Sequence, residues 1–180
     1  MVELALSAIG RDRPGIVAEV TAILLGHMVN IRDSQMSLLG GRFSMMLLLA
    51  APETTDVDAL RSDIERVRGR LGLDAASLVS VREAEEVAPS APSHIVSVYG
   101  VDHPGIVHAV SANLAARGVN ITDMSTRLVR EEGEAGLYAM LLEVALPAGL
   151  DPSGLEGVLR PVSSEQGVEV TVRTLAADAL

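Results

Sequence analysis

Gly10-Arg-Asp-Arg-Pro-Gly-Ile-Val17, followed after a short spacer by Val29-Asn-Ile-Arg-Asp33, recurs as Gly100-Val-Asp-His-Pro-Gly-Ile-Val107 and Val119-Asn-Ile-Thr-Asp123. Sliding the sequence by 90 residues superposes Gly10–Asp33 on Gly100–Asp123 with 13 of 24 positions identical, which marks an internal duplication. The second copy then carries a five-residue insertion within Arg130–Ala135, after which Phe43 aligns with Tyr138, Met45 with Met140 and Pro52 with Pro147. An insertion tolerated there points to a hairpin tip. Between the copies, residues 83–93 are acidic and then rich in Pro and Ser, as a linker is. The expected organisation is a first module over 1–83, a linker over 84–93, a second module over 94–176 and a tail over 177–180.

The elements follow outward from the duplicated stretch. Val2–Ile9 alternates loosely and stops at Gly10, as a half-buried strand does. A helix is expected next, with Asp12 as candidate cap and Pro14 early in its first turn. Ile16, Val17, Val20 and Leu24 recur at helical spacing, as do Ile106, Val107, Val110 and Leu114, so both stripes should face a sheet. Val29–Leu39 and Arg42–Ala50, joined at Gly40-Gly41, read as an antiparallel hairpin. The apolar phase slips between Ile31 and Met36, and between Ile121 and Met124, which predicts a bulge near Asp33 and Asp123. The next helix carries Val57, Leu60, Ile64, Val67 and Leu71, with Thr55 and Asp58 as a capping pair. Its counterpart starts at Asp151-Pro152 but contains Gly154, Gly157 and Pro161, which predicts a short or irregular helix. Leu73–Val81 and Val168–Leu175 supply the closing strands. The order βαββαβ, twice, makes an α+β chain of two tandem ferredoxin-like modules, each a four-stranded antiparallel sheet with two helices on one face.

Composition excludes several kinds of chemistry. The net charge is −10, with 9 Arg against 13 acids in residues 1–88 and 5 Arg against 11 acids in 89–180, so neither half offers phosphates a basic face. Phe43, Tyr99 and Tyr138 are the only aromatics, too few for base-stacking platforms. Lys and Cys are absent, which removes Schiff bases, thiolate chemistry, cysteine–zinc sites and disulfides. No run of about 18 apolar residues is present, and the N-terminus has no leader pattern. The reading is a cytoplasmic protein without membrane or direct nucleic-acid binding.

The repeated Gly-x-Asp-x-Pro-Gly-Ile-Val joins a strand to a helix. Gly15 and Gly105 let a ligand approach the backbone, and the unpaired N–H groups of the first helical turn suit a carboxylate. Asn30 and Asn120 open the following strand, where a side-chain amide can bind both the ammonium and the carboxylate of an amino acid. The structural alternative is that the glycine allows tight packing, the aspartate caps the helix and the asparagine closes a turn.

Asp-Arg-Pro-Gly-Ile-Val at 12–17 followed by Val-Asn-Ile-x-Asp at 29–33 resembles the signature of ACT domains, whose known role is to bind amino acids and regulate metabolism. The run from Asn30 to Gly40 with Phe43 and Met45 is similar to the first half of the glycine cleavage system transcriptional repressor family, which also holds two ACT domains. In that family of domains the ligand sits between the loop after strand one and strand two of a partner domain. The resemblance therefore implies Asp12, Arg13, Gly15, Ile16, Val17, Asn30 and Ile31 in the first copy. In the second it implies Asp102, His103, Gly105, Ile106, Val107, Asn120 and Ile121.

Other candidates read as structural. His103 and His108 have poor spacing for one metal, and His27 and His94 lack acidic or histidine partners at recognised spacing, so the histidines read as solvated or capping. Asp102, His103 and Ser111 lack a nucleophile elbow for a triad. Met36, Met45, Met46 and Met140 read as core filling. The expected function is a non-catalytic regulator of amino-acid or one-carbon metabolism that binds glycine, serine or a similar amino acid at a domain interface. It needs no cofactor or metal, forms a homodimer, and acts through a regulatory protein partner. The first module also resembles the regulatory front end of formyltetrahydrofolate deformylases, whose catalytic domain has no counterpart in these 180 residues. A third reading is a ligand-independent dimerisation module.

Overall fold

The structure, a computed structural model, describes residues 1–81, 91–129 and 136–175. The acidic part of the linker, the insertion at 130–135 with Glu131, Glu132 and Glu134, and the tail at 177–180 lie outside the described residues. The chain divides into two compact units. In the first, β1 (Val2–Arg11), α1 (Ile16–Gly26), β2 (Asn30–Leu39), β3 (Arg42–Ala51), α2 (Val57–Leu71) and β4 (Leu73–Ser80) follow in order. The second repeats them as β5 (His94–Val101), α3 (Ile106–Ala115), β6 (Asn120–Val129), β7 (Leu137–Ala145), α4 (Pro152–Gln166) and β8 (Val168–Thr174). Each unit forms one four-stranded sheet, in the orders β2-β3-β1-β4 and β6-β7-β5-β8, with every pairing antiparallel. This is the expected ferredoxin-like βαββαβ arrangement, twice.

Alternation places one face of each sheet under its helices. Leu4, Leu6 and Ala8 of β1 and Phe43, Met45, Leu47 and Leu49 of β3 pack with Ile16, Val20 and Leu24 of α1 and Leu60, Ile64, Val67 and Leu71 of α2. The second core repeats this with Val96, Val98, Met140 and Leu142 against Ile106, Val110, Leu114, Leu155, Leu159 and Val162. Removing such aliphatic area from water, at roughly 25 cal/mol per Å², is the main term favouring each unit. The hairpin turns at Gly40 (φ 57°) and Gly41 (φ 75°), both left-handed as a two-residue turn of the I′ kind requires. The pairing register shifts between Ile31 and Asp33 and between Ile121 and Asp123, where the apolar phase slips.

Local expectations need five corrections. Asp12 and Asp102 do not cap the first helices: α1 and α3 are preceded by Gly15 and Gly105 in left-handed conformation, with no side-chain cap, and Pro14 lies outside the helix. Val17 and Val107 are exposed, because an i, i+4 stripe through Ile16, Val20 and Leu24 turns position 17 about 100° away from the sheet. Asp56, rather than Thr55 with Asp58, caps α2, its carboxylate accepting from the N–H groups of Asp58 and Ala59. The helix α4 is 15 residues long, the same as α2, despite Pro161. Met45 and Met140 are core, but Met36 and Met46 are exposed because they lie on an edge strand and on the uncovered sheet face.

Candidate functional site

The loop after β1 is held in the same way in both units. The N–H of Asp12 donates to the Gly41 carbonyl at 3.3 Å, and that of Asp102 to the Gly136 carbonyl at 3.1 Å, so each loop is tied to the residue that precedes β3 or β7. On its other side Arg13 donates to the Arg70 carbonyl at 3.2 Å, near the end of α2. His103 occupies the matching position with Nε2 2.8 Å from the Gln166 carbonyl oxygen, at the end of α4, and Nδ1 3.1 Å from the Pro104 carbonyl oxygen. A side chain at 13 or 103 thus clamps the loop to the negative end of a helix dipole. Carbonyls only accept, so both contacts of His103 are hydrogen bonds only when both ring nitrogens carry protons. The Gln166 carbonyl, then that of Pro104, accordingly raises the His103 pKa above its usual value.

The loop ends at Gly15 (φ 97°) and Gly105 (φ 110°), a conformation in which an L side chain is strained. A Cβ at Gly15 would meet nothing within 4 Å, whereas one at Gly105 would lie 3.5 Å from Gln166 Oε1. The space above the first loop is open; the second is backed by α4. The first intrahelical bonds run from Glu19 N–H to Gly15 and from Ala109 N–H to Gly105, which leaves the first-turn N–H groups without helical partners. Asp12 and Asp102 on the loop and Val17 and Val107 in the first helical turn have exposed side chains, while Ile16 and Ile106 point into the cores and offer a ligand only backbone.

Asn30 and Asn120 are exposed but are not brought to these loops. Asn30 pairs with Ala50, which pairs with Glu3 at the start of β1, while the loop leaves β1 after Arg11. That run of strand spans about 26 Å at ~3.3 Å per residue. The second unit repeats the separation, with Asn120 opposite Ala145, beyond the start of β5 at His94, and the loop after Val101. Ile31 and Ile121, half-buried, stay with the asparagines. Each unit therefore holds its two sets of candidate residues at opposite ends of its sheet.

Of the remaining histidines, His108 is exposed and His27 stands at the C-cap of α1, as expected, and only His94 departs from that reading. His27 ends α1 with Nε2 3.0 Å from Asp63 Oδ2 on α2, a partner far away in sequence. His94 is buried in β5, neither solvated nor capping; its Nδ1 lies 2.9 Å from Ser93 Oγ and its Nε2 has no partner among the described residues. Ser111 donates to the His108 carbonyl at 3.2 Å, and the His103 ring faces carbonyls, so no nucleophile–base pair forms there. Among the described residues no group of three His, Cys, Asp or Glu is placed to hold a metal ion. Sequence reasoning missed the carbonyls of Gly41, Gly136, Arg70 and Gln166, since a backbone acceptor leaves no trace in residue identity.

The ACT domain family model matches residues 3–77 and 94–173. Over 178 residues the chain is 25% identical to the glycine cleavage system transcriptional repressor of Escherichia coli, covering 96% of this chain and 90% of that one. It is 26% identical over 173 residues to a phosphoserine phosphatase of Mycobacterium tuberculosis, covering 95% of this chain but 40% of the phosphatase. A solved structure of a protein from Galdieria sulphuraria superposes with a TM-score of 0.77 at 28% identity, covering 97% of this chain and 99% of the other.

Proposed function

Because the chain belongs to the ACT domain family, we propose that it is a non-catalytic cytoplasmic regulator that binds an amino acid and thereby changes its affinity for a partner protein. The observation that carries this reading is the twice-built loop with its unpaired helix-start amides beside an open left-handed glycine. The amides take the carboxylate of the ligand, and the Asp12 or Asp102 carboxylate its ammonium. The opposite wall comes from the Asn30 or Asn120 end of another ACT module, because one module holds these halves about 26 Å apart. Binding thus links two modules and favours one arrangement of the homodimer over another, which is all that coupling to a partner requires. With a net charge of −10 the effect on gene expression or enzyme activity, in amino-acid or one-carbon metabolism, passes through that partner rather than through DNA. Similarity to a repressor of the glycine cleavage system makes glycine and serine the first ligands to test.

Isothermal titration of the full chain with each of the common amino acids tests the proposal. The expected result is saturable heat with one small amino acid, weakened roughly tenfold or more by Asn30→Ala or Asn120→Ala, the loss of about one polar contact set. Absence of heat and of thermal stabilisation across the panel at millimolar ligand would overturn it.

A further inference from the structure

The helices of the second unit cover one face of its sheet and leave the other bare. On the bare face, register sets Asp123 of β6 and Glu143 of β7 in one row with Arg173 of β8, and Arg127 of β6 in another row with Glu169 of β8. The sign along the rows is therefore reversed: acids on the β6 side and a cation on the β8 side in the first, the opposite in the second. The row ends are three strands apart, about 14 Å at ~4.8 Å per strand, beyond ion-pair reach within one sheet. Among the described residues none of these five side chains is in an ion pair. Asp123 and Glu143 are direct cross-strand partners, a like-charge pair that destabilises the sheet unless a cation meets it. Between the charged edges the central strands expose Tyr99 (42%), Val101 (58%), Leu137 (51%) and Leu141 (41%).

We infer that this bare face of the second sheet is the self-association surface of the protein, taking the same face of a second copy across a two-fold axis parallel to the strands. Such an axis keeps each row on itself and exchanges the edges, so β6 meets β8 and β7 meets β5. Arg127 then faces the partner's Glu169 and Asp123 faces the partner's Arg173, each pair occurring twice, with sheets about 10 Å apart. Leu137 covers the partner's Val101 along the apolar centre. An axis across the strands also matches charges but leaves the row of Val101 and Leu137 overhanging. The first sheet lacks most of these charges: Ser37, Val79, Ala75 and Leu48 stand where Arg127, Arg173, Glu169 and Glu143 stand in the second, Asp33 alone matches Asp123, and its cations Arg11 and Arg42 lie instead in the row that holds Val101 and Leu137 in the second. In the same register its bare face would meet Arg173 with Asp33 but leave Asp123, Arg127 and Glu169 without opposite charges, which selects a second copy of the second sheet as the occupant.

The inference rests on the homodimer within the proposed function and is independent of the ligand. Sedimentation velocity of the full chain over a range of concentrations tests it, with circular dichroism to check folding. Arg127→Glu and Glu169→Arg are each expected to weaken the dimer roughly tenfold, and the double reversal to restore it, since like charges then become opposite again across both pairs. The chain has no cysteine, so Ser97→Cys gives a unique thiol near the axis, and a short bis-maleimide is expected to trap a covalent dimer. A dimer indifferent to both reversals, or one not restored by the double variant, overturns the surface while leaving self-association standing. A monomer at every concentration overturns both.

Discussion

The two glycines of the repeated loop motif do unlike jobs, and only the structure separates them. A Cβ at Gly10 would come within 2.9 Å of Leu73 Cδ2, and one at Gly100 within 2.7 Å of Val168 Cγ1, so these glycines permit the close crossing of the first and last strands. Gly15 and Gly105 instead serve a left-handed turn, open above Gly15 and backed by Gln166 at Gly105. Sequence made the importance of all four readable, but an identity cannot say whether a missing side chain admits a neighbouring strand or a ligand. The position between them was less legible still, because Arg13 and His103 act on backbone carbonyls. Arginine keeps its charge at any physiological pH, whereas histidine does not. The His103 pKa is raised from 6.5 by the Gln166 and Pro104 carbonyls, so its clamp is fully present below about pH 6.5 and is lost as pH rises through the folded value. Asp102 beside it adds to the shift in the same direction. Thermal denaturation of the chain and of His103→Arg, followed across pH 5 to 9, is expected to diverge above about pH 6.5, the native chain alone losing stability there. Parallel profiles across that window would show that the ring contributes no proton-linked bond to the loop.

At the scale of elements, hydrophobic period was the legible signal and local capping chemistry the unreliable one. Among the described residues the eight strands and four helices fall where apolar spacing puts them, including the bulges at Asp33 and Asp123 where the period slips. The α2 cap was misread because Thr55, Asp56 and Asp58 all have capping side chains, and only backbone geometry selects Asp56. The length of α4 was underestimated for a different reason. Leu155, Leu159 and Val162 are buried in the core of the second unit, and that packing outweighs the weak propensity of Gly154, Gly157 and Pro161. Gly154 is itself a packing choice, since a Cβ there would stand 2.8 Å from Leu150 Cδ1. Pro161 is exposed and, having no N–H, removes the hydrogen bond to the Gly157 carbonyl. Pro161→Ala should therefore stabilise the chain by about 1–3 kcal/mol in thermal or urea denaturation. A lowered melting temperature would show that the proline sets a helix bend on which the packing of Val162 depends.

For the molecule as a whole, duplication gave two complete cores rather than one shared core. Residues from β1 to β4 make up the first cluster, and residues from β5 to β8 the second, with no side chain common to both. Sequence disclosed this because 13 identities in 24 positions survive at the motif, where loop geometry restricts substitution, while the second helices have drifted within the limits of apolar pattern. What each copy presents on its bare sheet face was not legible, since alternate residues on an exposed face obey no period that folding must preserve. Two cores with separate membership imply separate cooperative units. Leu60 of α2 and Leu155 of α4 are both fully buried, each in its own cluster. Leu60→Ala or Leu155→Ala should cost its own unit about 2–5 kcal/mol through lost burial and a residual cavity. Native-state hydrogen exchange should then show Leu60→Ala accelerating the slowest amides of β1 and β3 while those of β5 and β7 keep their rates, and Leu155→Ala doing the reverse. Equal acceleration in both sheets by either variant would instead mean that the units unfold as one, with an interface as strong as either core.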